Sequence, residues 1–266
     1  MVLMMNKQGP VIMLLCFLML STISCKSSAL TNLEENVSKD PNNIELKFKL
    51  AGNYNLRNMP EKALEQYKEI LKVDPKNPDA FYNIGYYYYQ QSQNKLAFSN
   101  FEKAIEFGMT GNNIYQQTNA LAKELRHDGD NSPQLIKKEI SYGFKALEQT
   151  KPDTDYGKYT TNLIILLNSL HEIIFQQKEY RELIFKLVSE NSSIITKEKD
   201  PYNYFMLQTY LGDAYRVSDS RTDKEKAAKY YEDALSFFNS KDYPNERKII
   251  VFDLEQVKRE ITYIGE

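Results

Sequence analysis

The feature that most constrains the fold of this chain is an internal repeat with a period of 34 residues. When Ile44 is placed over Pro78, residues of similar size and character coincide along both segments. The coinciding pairs are Leu50 and Ile84, Ala51 and Gly85, Tyr54 and Tyr88, Ala63 and Ala97, Tyr67 and Phe101, and Ile70 and Ala104. A fixed period of this length indicates a stacked array, in which each unit buries its apolar face against its neighbours.

Within each unit, the pattern predicts two helices packed against one another. The small residues Ala51, Gly85 and Ala97 would let the paired helices approach closely, while tyrosine and phenylalanine rings would fill the space between units. Pro75 ends the first unit, because proline cannot continue a helix, whereas Met109 stands at the matching place in the second. With only 10 glycines and 9 prolines in 266 residues, the chain favours long helices and short turns.

The stretch KALEQYKEILKVDPKNPDAFYNIGYYYYQQ resembles the tetratricopeptide repeat (TPR), whose signature of W-x2-L-G-x2-Y, A-x3-F and a closing proline has the same period. The resemblance implies an all-α fold, an α-α superhelix of about five helix pairs followed by a C-terminal capping helix. It also implies a packing role for Tyr54, Ala63, Gly85, Tyr88, Ala97, Phe101, Gly212, Tyr215 and Ala227.

The repeats are distributed unevenly along the predicted domain, which covers residues 43–266. Clear repeats occupy 44–77, 78–111 and about 205–240, and degenerate repeats occupy 112–200. In the late repeat, Gly212 and Ala227 are 15 residues apart, against 12 for Gly85 and Ala97, which indicates a longer turn. The amphipathic segment 244–264 suits a capping helix with a polar outer face.

The N-terminal residues are predicted to be a targeting signal, not part of the fold. Residues 11–23 form a continuous apolar run preceded by Lys7, with the proportions of a signal-peptide core. The sequence Thr22-Ile23-Ser24-Cys25 resembles a bacterial lipobox, although Thr22 replaces the usual leucine. We therefore expect a signal peptide over 1–24, a lipidated Cys25, and a polar tether over 25–42. Ordinary secretion, with cleavage after Ser27-Ser28-Ala29, and a retained signal anchor are the alternatives.

Composition and motifs exclude several classes of function. The formal net charge of -2 provides no broad basic surface for nucleic acid. Cys16 and Cys25 are the only cysteines, so the predicted domain has no internal disulfide, and His127 and His171 lack metal-ligand spacing. No catalytic or phosphate-binding motif occurs, so we expect neither an enzyme, nor a cofactor, nor a metal site.

TPR arrays bind protein segments in a groove lined by the first helix of each repeat, and the family's groove positions can be transferred to this chain. We expect the principal contacts from Phe48, Tyr82, Tyr86, Tyr89, Gln90 and Arg216. The remaining groove positions are Glu45, Gly52, Asn55, Leu56, Asp79, Met206, Thr209, Asp213 and Val217. Exposed tyrosines favour binding, because they combine apolar area with a polar tip. The alternative is that these rings pack on neighbouring helices.

One family subtype binds acidic C-terminal tails through a clamp of lysine, arginine and asparagine side chains. The corresponding positions here are Phe48, Gly52, Asn83, Asn113 and Gln117, of which only Asn83 matches. The sequence therefore predicts no such clamp.

The sequence leads to two main functional hypotheses, with a hydrolase hidden in the degenerate repeats over 112–200 as a third alternative. The first is a lipid-anchored protein of the bacterial cell envelope, facing the periplasm, that binds a protein or peptide partner as a scaffold. The second is a transport accessory that holds a small apolar ligand or docks a solute-binding protein. A secreted or surface-exposed location and a homo-oligomer stay open.

Overall fold

A computed structural model describes residues 29–237 and 243–264, and every regular element in those ranges is a helix. Residues 29–39 form α1. The following helices are α2 (Ile44–Leu56), α3 (Pro60–Val73), α4 (Pro78–Gln90), α5 (Asn94–Glu106), α6 (Asn112–His127), α7 (Pro133–Glu148), α8 (Tyr156–Ile174), α9 (Arg181–Asn191), α10 (Pro201–Arg216), α11 (Arg221–Phe237) and α12 (Pro244–Ile264), with a 3-10 turn at Lys178–Tyr180 before α9. The predicted all-α, TPR-type solenoid is confirmed.

Local sequence signals explain where many of these helices begin. The side chains of Asn43, Asn77, Ser132, Asp155 and Asp200 each accept a hydrogen bond from a backbone amide in the first turn of the helix that follows. Such caps satisfy amide groups that have no partner within the helix. Proline occupies the first position of α4, α7 and α10, where its missing amide proton costs nothing.

The contacts divide the chain at Met109 into two units, which are described separately. The described part of unit 1 contains α1 to α5, with α2 paired to α3 and α4 paired to α5. Its core is the cluster Leu50, Ala51, Tyr54, Ala63, Leu64, Tyr67, Ile70, Ala80 and Ile84. In the second pair, a Cβ atom on Gly85 would lie 2.6 Å from the Phe101 ring, so only glycine fits there.

Helix α1 corrects the prediction of a polar tether before the repeats. Leu30, Leu33 and Val37 pack against the core of unit 1, and the Tyr54 hydroxyl donates a 2.8 Å hydrogen bond to Glu34. The three apolar side chains are spaced by three and four residues, so they share one helix face. Residues 29–39 are therefore a folded part of unit 1, and the polar residues between the apolar ones form the outer face of α1.

Unit 2 contains α6 to α12, and apolar clusters join several of these helices. The larger cluster joins α7, α8, α9 and α10 around Leu163, Leu166, Leu167, Leu170 and Ile174, all of them fully buried. This explains the strongly apolar sequence of α8, which packs against neighbours on several sides. The second cluster joins α10, α11 and α12 around Phe205, Tyr231, Ala227, Ile250 and Val257.

Helix α12 packs on α11 through Ile250 and Val257, but its outer face is not polar as predicted. Ile249 is 62% exposed and Phe252 is 59% exposed, so apolar side chains interrupt the charged residues of that face. The periodicity of α12 correctly predicts an amphipathic helix. However, α12 has more apolar residues than its single packed face can bury, so some of them are exposed.

Candidate functional site

A pocket of about 230 Å³ lies in unit 1 between α2, α3 and α4. Its walls are tyrosine rings and side-chain amides, and none of its eight lining residues is charged. The lining residues are Asn55, Asn58, Pro60, Tyr67, Asn83, Tyr86, Tyr87 and Gln90. An uncharged wall of this kind offers hydrogen-bond donors and acceptors together with apolar ring surface.

Hydrogen bonds hold part of this wall in place. The Asn55 amide nitrogen donates to the Tyr67 hydroxyl at 3.2 Å, which links α2 to α3 across the pocket. The Asn83 amide nitrogen donates to the Asp79 carbonyl oxygen one turn earlier in α4, at 2.7 Å. Burial raises the pKa of Tyr67, and although the Asn55 hydrogen bond opposes that shift, the hydroxyl stays protonated at neutral pH.

Two of the tyrosines predicted to line the groove stand open to solvent beside this pocket. Tyr86 is 43% exposed and Tyr89 is 48% exposed, with ring centroids 6.5 Å apart. Leu56, at the end of α2, is 88% exposed. The predicted groove residue Gln90 is also exposed and lines the pocket. Tyr89 and the eight residues that line the pocket form one surface, which we call the tyrosine groove.

Two other predicted contacts are engaged in packing. Tyr82 is half-buried and stacks on Phe101, with ring centroids 5.4 Å apart and an interplanar angle of 25°. Phe48 is half-buried against the unit 1 core, with its ring centroid 6.0 Å from that of Tyr67. For these two residues the structure agrees with the alternative of packing on a neighbouring helix, because a ring from the second helix of each pair reaches the first-helix face, and their groove role stays a prediction.

The structure also brings together residues that the repeat alignment does not single out. Tyr87, for which the sequence suggests no role, lines the pocket and meets Tyr88 edge to face at 5.5 Å. Both rings are half-buried against the unit 1 core. Asn58 reaches the pocket from a turn in which its φ angle is +57°, a conformation that asparagine tolerates better than most residues. In the sequence, the signal for this turn is that Asn58 stands just after a predicted helix.

In unit 2, predicted groove residues form ion pairs and hydrogen bonds with other residues of the same unit. Arg216 forms ion pairs with Asp253 at 2.5 Å and Glu260 at 3.7 Å, both on α12. Although burial opposes its charge, these carboxylates keep the pKa of Arg216 above its usual value. Arg216 is therefore held by partners on the capping helix, and its predicted role as a groove contact stays a prediction.

Asp213, another groove position, is 3% exposed and binds two side chains. Its carboxylate accepts a 2.6 Å hydrogen bond from the Tyr231 hydroxyl and lies 3.1 Å from His171 Nε2. Burial lowers the tendency of His171 to ionise, but the Asp213 carboxylate outweighs it and raises the histidine pKa. This group links α8, α10 and α11, and within the described residues no cluster of three metal-ligating side chains occurs.

The residues predicted to pack the repeats occupy the helix interfaces. Tyr54, Ala63, Ala97, Phe101 and Ala227 are buried. Gly212 is buried beneath Tyr231, whose ring would collide with any Cβ atom at that position. Tyr215 is half-buried and stacks on Tyr230. Gly143 makes the same close approach to Leu166 within residues 112–200, where the sequence predicts only degenerate repeats.

Comparison with known proteins agrees with this geometry. Residues 54–92, from the end of α2 to the end of α4, match the family profile of a TPR repeat. The chain contains a tetratricopeptide repeat. The matched segment includes all of the residues that line the tyrosine groove. No curated protein matches the chain.

Several solved structures align with this chain at low sequence identity. YrrB, described as a TPR protein with an unusual peptide-binding site, is 17% identical, with a TM-score of 0.54 over 85% of this chain and 97% of YrrB. The C-terminal part of a TPR repeat-containing protein from Cytophaga hutchinsonii is 16% identical, with a TM-score of 0.47 over 88% of this chain and 96% of the other. MamA is 16% identical, with a TM-score of 0.45 over 72% and 96%.

The predicted lipid attachment site, Cys25, lies outside the described residues, as does Cys16. Within residues 29–237 and 243–264, none of the helices combines the length and the apolar composition that spanning a bilayer requires.

Proposed function

We propose that the protein is a protein–protein interaction scaffold, and that the tyrosine groove of unit 1 binds an extended, uncharged segment of its partner. The observation that carries this proposal is the composition of the pocket wall, which consists of four side-chain amides, three tyrosine rings and a proline. The exposed rings of Tyr86 and Tyr89 extend the same surface.

The chemistry of the wall favours a peptide backbone as the bound group. A side-chain amide carries both a donor and an acceptor, so it can pair with the amide and carbonyl groups of an extended chain. Tyrosine adds apolar contact area while losing little rotamer freedom. A charged side chain entering this pocket would lose hydration without meeting an opposite charge, so charged segments should be disfavoured. The TPR fold, which this chain shares with YrrB, supports a peptide partner.

We also propose that Cys25 is lipid-modified and holds the protein at a membrane of the bacterial envelope, on the periplasmic side. The apolar run over 11–23 and the small residue Ser24 before Cys25 support this. Only three residues separate Cys25 from the first described residue of α1, a reach of at most about 14 Å for an extended chain. Unit 1 would therefore stay close to the lipid surface.

Selection from a random peptide library tests the scaffold proposal. Peptides should be selected on the wild-type protein and counter-selected on the Tyr86→Ala, Tyr89→Ala double variant. We expect the enriched peptides to share a central stretch without Asp, Glu, Lys or Arg. Enrichment of acidic or basic motifs, or equal binding to the double variant, would refute the proposed specificity.

A further inference from the structure

A second pocket, of about 430 Å³, lies in unit 2 between α9, α10 and α11. None of the groove positions predicted from the TPR pattern lines it. Its volume falls within the range of roughly 300–1,000 Å³ that is typical of small-molecule sites. The pocket is separate from the tyrosine groove, because every residue that lines it belongs to unit 2.

One side of this pocket is a wall of three aromatic rings. Tyr215 and Tyr230 stack with centroids 5.5 Å apart and an interplanar angle of 7°, and the Phe185 centroid lies 4.6 Å from that of Tyr215. Val188 and Leu211 add aliphatic surface. Such a wall favours a flat apolar molecule that can lie against the rings.

Gln208 contributes a side-chain amide to the pocket wall, beside the hydroxyl groups of Ser189 and Ser192. Gln208 lines the pocket and is only 9% exposed. Within the described part of the chain, its side-chain amide has no hydrogen-bond partner, unlike the buried Asn119, Asn162 and Asn191, which are all bonded. The amide is reached through the pocket and makes no hydrogen bond within the described residues, so it is free to exchange one with a ligand group.

The charges near the pocket are matched in pairs. Lys226 lies over the Tyr215 ring at 5.1 Å and Arg181 over the Phe185 ring at 6.0 Å. Asp223 lies 3.5 Å from Arg181 and 3.7 Å from Lys226, and Arg181 also pairs with Glu182 at 3.3 Å, so two carboxylates match the two cations. None of the eight lining residues is itself charged. The pocket therefore suits a neutral molecule, because an ion would find no unmatched counter-charge.

We propose that this pocket binds a small, flat, uncharged molecule that lies against the aromatic wall and exchanges a hydrogen bond with Gln208. This function is independent of peptide binding by unit 1, and either can fail without the other. This pocket would also be the site for the small apolar ligand of the second functional hypothesis.

Indole is a suitable probe, since it is flat, neutral and carries one N–H donor. The protein has no tryptophan, so indole fluorescence excited beyond the tyrosine absorption band reports the probe alone. 1-Methylindole has the same ring system without the donor. Both probes are titrated into the purified full-length chain, and binding is followed by fluorescence anisotropy.

Two variants identify the site. Gln208→Leu removes the amide while nearly preserving its volume, and Ser189→Phe places a ring in the pocket from the exposed side of α9. Ser193→Phe is the matched control, because Ser193 is exposed and does not line the pocket. Thermal melting monitored by circular dichroism establishes that each variant is folded.

We expect saturable binding of indole at one site per chain. Gln208→Leu should weaken indole binding by about tenfold, which corresponds to one buried hydrogen bond, and leave 1-methylindole binding unchanged. Ser189→Phe should abolish binding of both probes, and Ser193→Phe should have no effect. If Ser189→Phe is unfolded, the contrast between the two probes on Gln208→Leu decides the question. Absence of saturable binding, or equal loss of both probes in Gln208→Leu, would overturn the proposal.

Discussion

The ring of Tyr82 stacks on that of Phe101 with centroids 5.4 Å apart, so the first tyrosine of α4 belongs to the packing between α4 and α5. Tyr86, one turn later on the same helix, is 43% exposed. The two residues are four positions apart and share a helix face, yet only the second is available to a partner. The boundary between packing and contact therefore falls between these two tyrosines.

This boundary predicts that alanine substitution destabilises the protein at Tyr82 and has little effect at Tyr86. Tyr82→Ala should lower the free energy of unfolding by about 1–2 kcal/mol, because half-buried ring area and the stacking contact are lost. Tyr86→Ala should change it by less than about 0.5 kcal/mol, as is usual for an exposed residue. Chemical denaturation of both variants makes the comparison, and an equal loss of stability would show that Tyr86 is also a packing residue.

Two glycines of unit 1 provide a matched test of the repeat packing. Nothing lies within 4 Å of a Cβ atom placed on Gly52, whereas one on Gly85 would meet the Phe101 ring. Gly52→Ala should stabilise the protein by about 0.5–1 kcal/mol, because alanine is the better helix former. Gly85→Ala should instead destabilise it by about 1–3 kcal/mol through overpacking. Equal shifts in melting temperature for the two variants would contradict the packing described.

An ion-pair network in unit 2 predicts a specific dependence on acid. Glu172 accepts charge-assisted hydrogen bonds from Lys123 (2.6 Å), Arg126 (2.7 Å) and His127 (2.8 Å). Burial alone would raise the pKa of Glu172, but these three partners lower it to about 2 from an ordinary value of 4.5. Because the folded-state pKa is the lower one, the stabilisation is complete above about pH 4.5 and disappears as the pH falls towards 2.

Glu172→Gln measures this contribution directly. The difference in melting temperature between the wild type and the variant should be largest above about pH 5 and shrink steadily below it. The control is Glu35→Gln, since Glu35 is solvent-exposed on α1 and its ion pair with Lys39 should contribute little at any pH. A difference that is constant from neutral to acidic pH would disprove this account of Glu172.

Membrane attachment is tested at Cys25. Cys25→Ser should move the protein from the membrane fraction to the soluble fraction and prevent incorporation of labelled palmitate, because acyl chains supply the anchoring free energy. Cys16→Ser serves as the control and should leave both results unchanged. Retention of the Cys25→Ser protein in membranes would exclude a lipid anchor at this residue.

The sequence predicts the helix pairs well because their signals are local and repeated. Gly85 and Phe101 have counterparts 34 residues earlier, so their contact follows from the period. The ion pair of Arg216 could not be predicted in this way, because its partner Asp253 lies in the capping helix, outside any repeat. The tyrosine groove was only partly predictable, since Asn58 and Asn83 occupy unrelated positions in the repeat and meet only in the folded unit.

Helix α1 is a different case, because its signal was present in the sequence. Leu30, Leu33 and Val37 have helical spacing, but the surrounding polar residues give the segment the composition of a linker. Composition alone was therefore misleading, and the periodicity of three apolar residues was the better guide.

The affinity of a selected uncharged peptide for the tyrosine groove tests the central claim most directly. Isothermal titration calorimetry should be performed on the wild type, on the Tyr86→Ala, Tyr89→Ala double variant, and on a control with Lys68→Ala on the exposed side of α3. We predict at least about tenfold weaker binding to the double variant, which corresponds to about 1.4 kcal/mol, with unchanged melting temperature and no effect of Lys68→Ala. Binding that is equally strong in all three proteins would contradict the assignment of this groove as the partner site.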